Sequence, residues 1–284
     1  MELIPLHERD NVLNYYIPNH CVLKPESKTT KLRVVFNASA RTSAGISLND
    51  SLYTGPKLQP DIQVVLLRAR LWKFIFMADI KQMYRQILIQ PSDRDYLRIF
   101  WRFSTQSPID EYHLSTVTYG TSAAPFQALR TLRHLVILNG AEWPLAANIL
   151  LNDTFVDDIL TGADSETEAL HRQKELINLC ALAQFELHKW ASNNPNILQA
   201  VPENCRAMSV SMLFNSGDLP ELKVLGLKWD PPSDSFYFQA QPSSGIPTKR
   251  SVLSDIARVF DPLGLLSPLT FFTKHIMQQL WTAG

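Results

Sequence analysis

Residues 152–163 read NDTFVDDILTGA, and two adjacent acids, Asp157 and Asp158, interrupt an otherwise apolar stretch. Short apolar segments on either side of these acids predict two strands of a tight hairpin with the acids at its tip. Neighbouring side chains of a regular strand point to opposite faces, but a turn allows both carboxylates to reach one place. A solvated turn is the alternative interpretation, because Asp is a common turn residue.

A third carboxylate lies in residues 71–80, LWKFIFMADI, where an apolar run rich in Phe and Ile leads to Asp79. This pattern predicts a buried strand that carries one charged group near its C-terminal end. A strand-end cap is the alternative interpretation of Asp79. Enzymes that transfer or hydrolyse phosphoryl groups commonly use two divalent ions roughly 4 Å apart. Mg²⁺ prefers hard oxygen ligands, so Asp79, Asp157 and Asp158 together predict a site for two Mg²⁺, with Mn²⁺ as a substitute.

Five motifs follow one another in the order of a known family: FMADIKQMYRQI (76–87), YGTSAAPFQALR (119–130), TFVDDIL (154–160), FELHKWASN (185–193) and VLGLKWD (224–230). With them, the chain resembles the reverse transcriptase of long-terminal-repeat retrotransposons, most closely the BEL/Pao group. The resemblance extends from about Tyr16 to the end of the chain. Further similar segments are KLRVVFNASA (31–40), SLNDSLYTGP (47–56) and ARVFDPLGLLSP (257–268).

The resemblance implies a role for several side chains outside the carboxylate cluster. Arg33 matches the arginine that grips the triphosphate, a task that suits the planar guanidinium, and Lys24 is the second phosphate contact. Tyr84 matches the aromatic residue beneath the incoming sugar, where a ring blocks a ribose 2′-hydroxyl and selects deoxynucleotides. Lys189 resembles the lysine that protonates the leaving pyrophosphate, so it is counted with the catalytic residues.

Two further groups of residues are implied to contact the substrates. Tyr119, Gly120 and Gln127 belong to a small-residue turn that opens a helix, where the backbone can approach the nucleotide or the template closely. A later hairpin resembles the one that holds the primer terminus, with an ordinary hairpin as the alternative. Its predicted primer-grip residues are Leu225, Gly226 and Trp229.

The fold class expected from these motifs is α/β (α+β), arranged as a polymerase right hand. We expect fingers in residues 1–71 and 88–118 and a palm in residues 72–87 and 119–231. Residues 232–284 are expected to be mostly helical and to form a partial thumb or the start of a connection.

Composition agrees with this interpretation. The formal net charge is zero, but residues 20–85 hold 11 Lys and Arg against 4 Asp and Glu, whereas residues 150–190 hold 3 against 8. A basic region suits phosphates, and an acidic one suits cations. Three widely spaced cysteines predict a reducing compartment. The apolar runs are short and the N-terminus is acidic, so we expect a cytoplasmic location, including virus-like particles, and no membrane partner.

The expected partners are an RNA or DNA template with its primer and dNTPs. The resemblance also implies further polyprotein domains, namely protease, RNase H and integrase, absent from this chain. Two other functions stay open. One is a catalytically silent relic or co-opted fragment that binds nucleic acid without polymerising. The other is a magnesium-dependent phosphohydrolase, which gives no reason for Tyr84 and Arg33 to occur in polymerase order.

Overall fold

The computed structural model describes residues 1–25, 31–214, 222–238 and 246–282. These residues form a mixed α and β protein with several small antiparallel sheets, which confirms the fold class at this level. The strands are β1 (Glu2–Leu3), β2 (Asn19–Leu23), β3 (Leu32–Phe36), β4 (Phe74–Ile80), β5 (Arg98–Trp101), β6 (Asp110–His113), β7 (Thr154–Phe155), β8 (Asp158–Ala163), β9 (Leu187–Ser192), β10 (Lys223–Val224), β11 (Leu227–Asp230) and β12 (Ser235–Tyr237). The helices are α1 (Leu48–Ser51), α2 (Ile62–Ala69), α3 (Ala124–Asn139), α4 (Pro144–Asn152), α5 (Glu166–Leu182), α6 (Pro195–Gln199), α7 (Val210–Phe214), α8 (Lys249–Ala257) and α9 (Ser267–Thr282).

The chain divides into two compact units. The first contains residues 1–59, 81–144 and 179–186, and the second contains residues 60–80, 145–178 and 187–284. These boundaries do not coincide with the expected fingers, palm and thumb, and that subdivision stays a prediction.

The second unit is built on a four-stranded antiparallel sheet with the order β7-β8-β4-β9. Strand β4 lies between β8 and β9, and its residues from Ile75 to Ile80 are all buried. A strand covered on both faces needs a continuous apolar run, and the sequence of β4 provides one. The predicted buried strand before and including Asp79 is therefore confirmed.

Helix α2 packs against this sheet and begins at Ile62, shortly after Pro60. Its apolar face joins one hydrophobic core with the β10-β11-β12 sheet. That core contains Val65, Leu66, Ala69, Ile75, Met77, Leu160, Ala191, Leu222, Val224, Leu225, Leu227 and Trp229. Burial of this apolar surface supplies the main stabilisation of the unit.

The first unit contains the β2–β3 hairpin, the β1-β6-β5 sheet and helix α3. A fully buried cation, Arg98, ties its N-terminal segment to the sheet. Arg98 donates to Asp95 Oδ1 through Nε at 2.9 Å and Nη2 at 2.6 Å, and to the carbonyls of Glu8 and Arg9 at 2.7 and 3.0 Å. A buried guanidinium is tolerated only when its donors are satisfied in this way.

The C-terminal segment is helical, as expected, and consists of α8 and α9. Neither helix has a buried residue among those that the structure describes. Across the described ranges, no helix combines the length and the apolar character that crossing a bilayer would require.

Candidate active site

Strand β4 places Asp79 at the centre of the sheet in the second unit. Its register with β8 sets Asp79 directly opposite Asp158. Paired residues of antiparallel strands have Cα atoms about 4.5–5.5 Å apart, so the two carboxylates start from adjacent positions. Asp79 is 9% exposed, so it is a buried acid on the central strand of this sheet.

The other two acids lie on the predicted hairpin, which the structure confirms. Phe155 pairs with Asp158, leaving Val156 and Asp157 as a two-residue turn between β7 and β8. Val156 has a left-handed φ of 57°, which is unusual for a β-branched residue. The backbone N–H of Ile80 donates to the carbonyl of Asp157 at 2.8 Å, which fixes the turn beside the end of β4. The three acids therefore lie together on one sheet.

The pKa values of Asp157 and Asp158 are raised, because these acids are buried and lie close together. Burial, followed by the charges of Asp157 and Asp79, raises the pKa of Asp158 to about 6, while Lys189 opposes the shift. Burial and the charge of Asp79 also raise the pKa of Asp157, against its own backbone hydrogen bond and Lys189. Nearby like charges and low solvation both disfavour ionised carboxylates, so positive charge is favourable at this site.

The donor set fits divalent cations, because three carboxylates offer hard anionic oxygens that Mg²⁺ and Mn²⁺ prefer. Within the described ranges, Asp79, Asp157 and Asp158 do not form a group whose ligand atoms all lie within 4.8 Å of one another. Side-chain rotation about the fixed backbone positions would therefore be needed before all three could share an ion.

Lys189 lies in the same cluster. Its Nζ donates to Asp79 Oδ2 at 2.7 Å. The lysine side chain is 55% exposed, whereas that of Asp79 is 12% exposed. Lys189 has a left-handed φ of 53° within β9, at a point where the β4–β9 register shifts. The sequence grouped Lys189 with the predicted catalytic residues, and in the structure its ammonium contacts the carboxylate of one of them, Asp79.

The predicted triphosphate contacts lie on the β2–β3 hairpin of the first unit. Arg33 pairs with Val22, and its side chain is exposed. Lys24 follows the end of β2, is also exposed, and donates its backbone N–H to the Lys31 carbonyl at 2.7 Å. The loop between them, residues 26–30, lies outside the described residues. Both cations are thus available to solvent-borne anions from one hairpin.

Tyr84 lies in a 3₁₀ turn, Met83–Gln86, and is half-buried. Tyr119, also half-buried, donates its hydroxyl to the Val34 carbonyl at 2.7 Å and packs its ring against Phe36 at 5.3 Å between centroids. The tyrosine hydroxyl therefore anchors the turn to β3.

Gly120 is required by geometry. It has a left-handed φ of +99°, and a Cβ there would lie 2.3 Å from the Phe36 carbonyl oxygen. Helix α3 then begins at Ala124 with Pro125 in its first turn, as the sequence predicts. Gln127 is half-buried on the first turns of α3.

The turn at Gly120 has a partner that the sequence analysis missed. Asn49 donates through Nδ2 to the Gly120 carbonyl at 3.0 Å and accepts from the Ser122 N–H at 2.7 Å. Asn49 lies in α1, which opens with a capping box between Ser47 and Asp50. The SLND sequence signals that short helix, but no local pattern predicts a contact between positions 71 to 73 residues apart.

The predicted primer-grip residues lie on the β10–β11 hairpin. Leu225 and Gly226 form its turn, with φ values of 48° and 84°. Leu225 is 6% exposed and Trp229 1% exposed, so both side chains belong to the core, and Trp229 Nε1 donates to Asp234. Gly226 is exposed, but a Cβ there would lie 2.8 Å from the Phe260 ring. The turn backbone is therefore the part of this group that a primer could contact, and its role stays a prediction.

Comparison with known proteins adds one relation in sequence. Residues 248–284 match the Pao retrotransposon-like RNaseH-like domain. The match is confined to the segment expected to be a partial thumb and contains none of the three aspartates. The assignment of that segment as a thumb therefore stays a prediction. No curated protein sequence matches the chain.

Among solved structures, a protease-reverse transcriptase of prototype foamy virus aligns with 61% of this chain, at a TM-score of 0.46 and 16% sequence identity. The aligned region spans 20% of the foamy virus chain. A TM-score below 0.5 does not establish a shared fold.

Proposed function

We propose that this chain is the RNA-directed DNA polymerase (reverse transcriptase) domain of a BEL/Pao retrotransposon. It would extend a primer 3′-hydroxyl with dNTPs on an RNA or DNA template. The observation that carries the proposal is the in-register pairing of Asp79 with Asp158, beside Asp157 in a two-residue turn. A phosphohydrolase would account for the acids, but not for the ordered motifs around them.

Asp79, Asp157 and Asp158 would hold two Mg²⁺ ions, with Mn²⁺ able to replace them. Bound there, the ions would activate the attacking hydroxyl and neutralise charge on the triphosphate. The contribution of the protein is to fix the carboxylates: β4 and β8 share a ladder, and the Asp157 carbonyl is hydrogen-bonded to Ile80. Phosphoryl transfer depends largely on such positioning and on charge neutralisation.

The remaining roles come from the resemblance and from each residue's chemistry. Arg33 and Lys24, both exposed, would bind the triphosphate, and Tyr84 would exclude the ribose 2′-hydroxyl. Tyr119, Gly120 and Gln127 would shape the nucleotide contact, and the Leu225–Gly226 turn would support the primer. Lys189 would hold a proton at Nζ for the leaving pyrophosphate.

Primer extension tests the proposal directly. The assay uses a DNA primer on an RNA template with dNTPs and Mg²⁺, and compares the wild-type chain with Asp157→Asn. A lost metal ligand removes several kcal/mol of transition-state stabilisation, so extension should fall at least about 100-fold. Asp164→Asn, which changes an exposed acid just after β8, should retain activity. Equal extension by wild type and Asp157→Asn would refute the assigned carboxylate.

One contact favours the alternative of a silent nucleic-acid-binding fragment. The Phe260 ring lies against Gly226, at the turn expected to hold the primer. An added Cβ at Gly226 would lie 2.8 Å from this ring, so Phe260 occupies space beside the turn and would have to move for a primer terminus to take that place. Binding of primer-template by the wild-type chain in a filter assay, together with no detectable extension, would support this alternative over a polymerase.

A further inference from the structure

Lys189 contacts a residue that the proposed function assigns to metal binding. We infer that Lys189 is the resident cation of this site: its ammonium neutralises Asp79 before a divalent ion binds, and then competes with that ion for the carboxylate. The inference rests on the proposed function for its metal site. It adds a role for Lys189 that precedes any proton transfer.

The backbone of β9 is shaped to make this contact. Met77 pairs with Ala191 and Asp79 pairs with His188, so two residues of β9, Lys189 and Trp190, lie opposite the single residue Ala78. This arrangement is a β-bulge, a feature that redirects a side chain and is frequent beside active sites. Trp190 is 2% exposed and packs against Phe76, while Lys189 is directed to Asp79.

The electrostatics of the cluster also give Lys189 this role. Three acids lie together on one sheet, because Asp79 faces Asp158 across the β4–β8 ladder and Asp157 lies in the turn beside them. Lys189 donates to Asp79 from the neighbouring strand β9, which places its ammonium in this group of acids. A single ammonium leaves two negative charges uncompensated, so a divalent ion remains the stronger counter-ion.

The exposures of the two partners show how the exchange can proceed. The Lys189 side chain is 55% exposed and can move its ammonium into water, whereas Asp79, at 12%, is held by the central strand. When a metal ion replaces the ammonium, the ion pair between Lys189 Nζ and Asp79 Oδ2, at 2.7 Å, breaks, and the Asp79 carboxylate becomes available to the metal. The strand ladder is unaffected, and the released ammonium becomes available as the proton donor.

Metal affinity tests the inference without any catalytic readout. Mn²⁺ is titrated into the chain without nucleotide, and free Mn²⁺ is followed by electron paramagnetic resonance. The variants are Lys189→Met, Lys189→Arg, Lys174→Met and Asp157→Asn. Lys174 is an exposed residue of α5 in the same unit, so its substitution removes the same charge away from the site. Lys189→Arg keeps a cation on the bulge and controls for distortion of the backbone.

Removing the competing cation should tighten Mn²⁺ binding by Lys189→Met about 5- to 10-fold, whereas Lys174→Met and Lys189→Arg stay within about twofold of wild type. Unchanged or weaker binding by Lys189→Met, with binding lost in Asp157→Asn, would overturn the inference and leave the proposed metal site intact. Binding that is the same in all variants, Asp157→Asn included, would refute both.

Discussion

At Asp158, a role in metal binding and the stability of the metal-free chain oppose each other. Its folded pKa of about 6 lies above the ordinary value of about 3.9 for an aspartate, because the site is buried and already negative. The folded protein therefore binds the Asp158 proton more tightly than the unfolded chain does. The stabilisation from this preference is complete below the unfolded pKa and is lost as pH rises through the folded pKa.

Asp158→Asn should accordingly stabilise the metal-free chain at neutral and alkaline pH. The shift from about 3.9 to about 6 corresponds to roughly 2–3 kcal/mol, so the variant should gain up to that amount at about pH 8 relative to about pH 4. Urea unfolding in EDTA at both pH values measures the difference. Asp164→Asn serves as the exposed control, and a gain for Asp158→Asn that is independent of pH would contradict the prediction.

The sequence identified the three acids because each lies at the end or turn of a strongly apolar strand pattern. It could not assign the contact between Lys189 and Asp79, which are 110 residues apart. That contact depends on a bulge in the β4–β9 ladder, and a bulge is set by the pairing register, which local periodicity does not reveal. The burial of Leu225 and Trp229 was missed for a similar reason, because the core that covers them draws on distant strands.

At the level of elements, the β10–β11 hairpin shows how one turn constrains two segments. Both turn residues have left-handed φ values, the pattern of a type I′ turn, which suits the twist of a two-residue hairpin. Gly226 meets this requirement without strain, and its missing side chain makes room for Phe260. Because Gly226 has no side chain, Phe260, which follows α8, can pack beside the turn.

Gly226→Ala should destabilise the chain by more than the conformational term alone. A left-handed backbone costs a residue with a Cβ roughly 1–2 kcal/mol, and the new methyl group would also displace the Phe260 ring. Gly45→Ala isolates the first term, because Gly45 has a φ of +79° and nothing within 4 Å of an added Cβ. Urea unfolding of both variants gives the two costs.

A double-mutant cycle separates the steric part. In a Phe260→Ala background, the loss caused by Gly226→Ala should fall to that of Gly45→Ala. If Gly226→Ala is equally damaging with and without Phe260, the ring contact is not responsible for the cost, and Phe260 does not cover the Leu225–Gly226 turn in solution.

The buried strand β4, the acid-tipped hairpin and the helical character of the C-terminal segment could be predicted, because each is a local property of the sequence. The grouping of these elements could not. Residues 119–144 belong to the first compact unit, in which Arg133 donates to the Leu58 carbonyl and Asn49 binds the Gly120 turn. Such side-chain bonds join distant segments without any periodic signal.

Across the whole molecule, burial is distributed unevenly. Helices α3 and α9 both contain 16 residues, but α3 buries five apolar side chains and α9 buries none among the described residues. Large apolar side chains of α9 are exposed instead: Leu269, Phe271, Phe272, Ile276, Leu280 and Trp281. Helix α9 contacts α8, but because it buries no side chain, little apolar surface stabilises it beyond its own hydrogen bonds.

Hydrogen exchange should therefore differ strongly between these two helices of equal length. After correction for intrinsic rates, amides of α9 should exchange on the order of 100-fold faster than those of α3, because α9 can open without exposing a core. Mass spectrometry of peptides from both helices measures the ratio, with dilution to reveal self-association. Equal protection at all concentrations would mean that α9 is packed against the same chain, and the exposed apolar face would then be absent in solution. Protection that falls on dilution would instead show that copies of the chain cover this face.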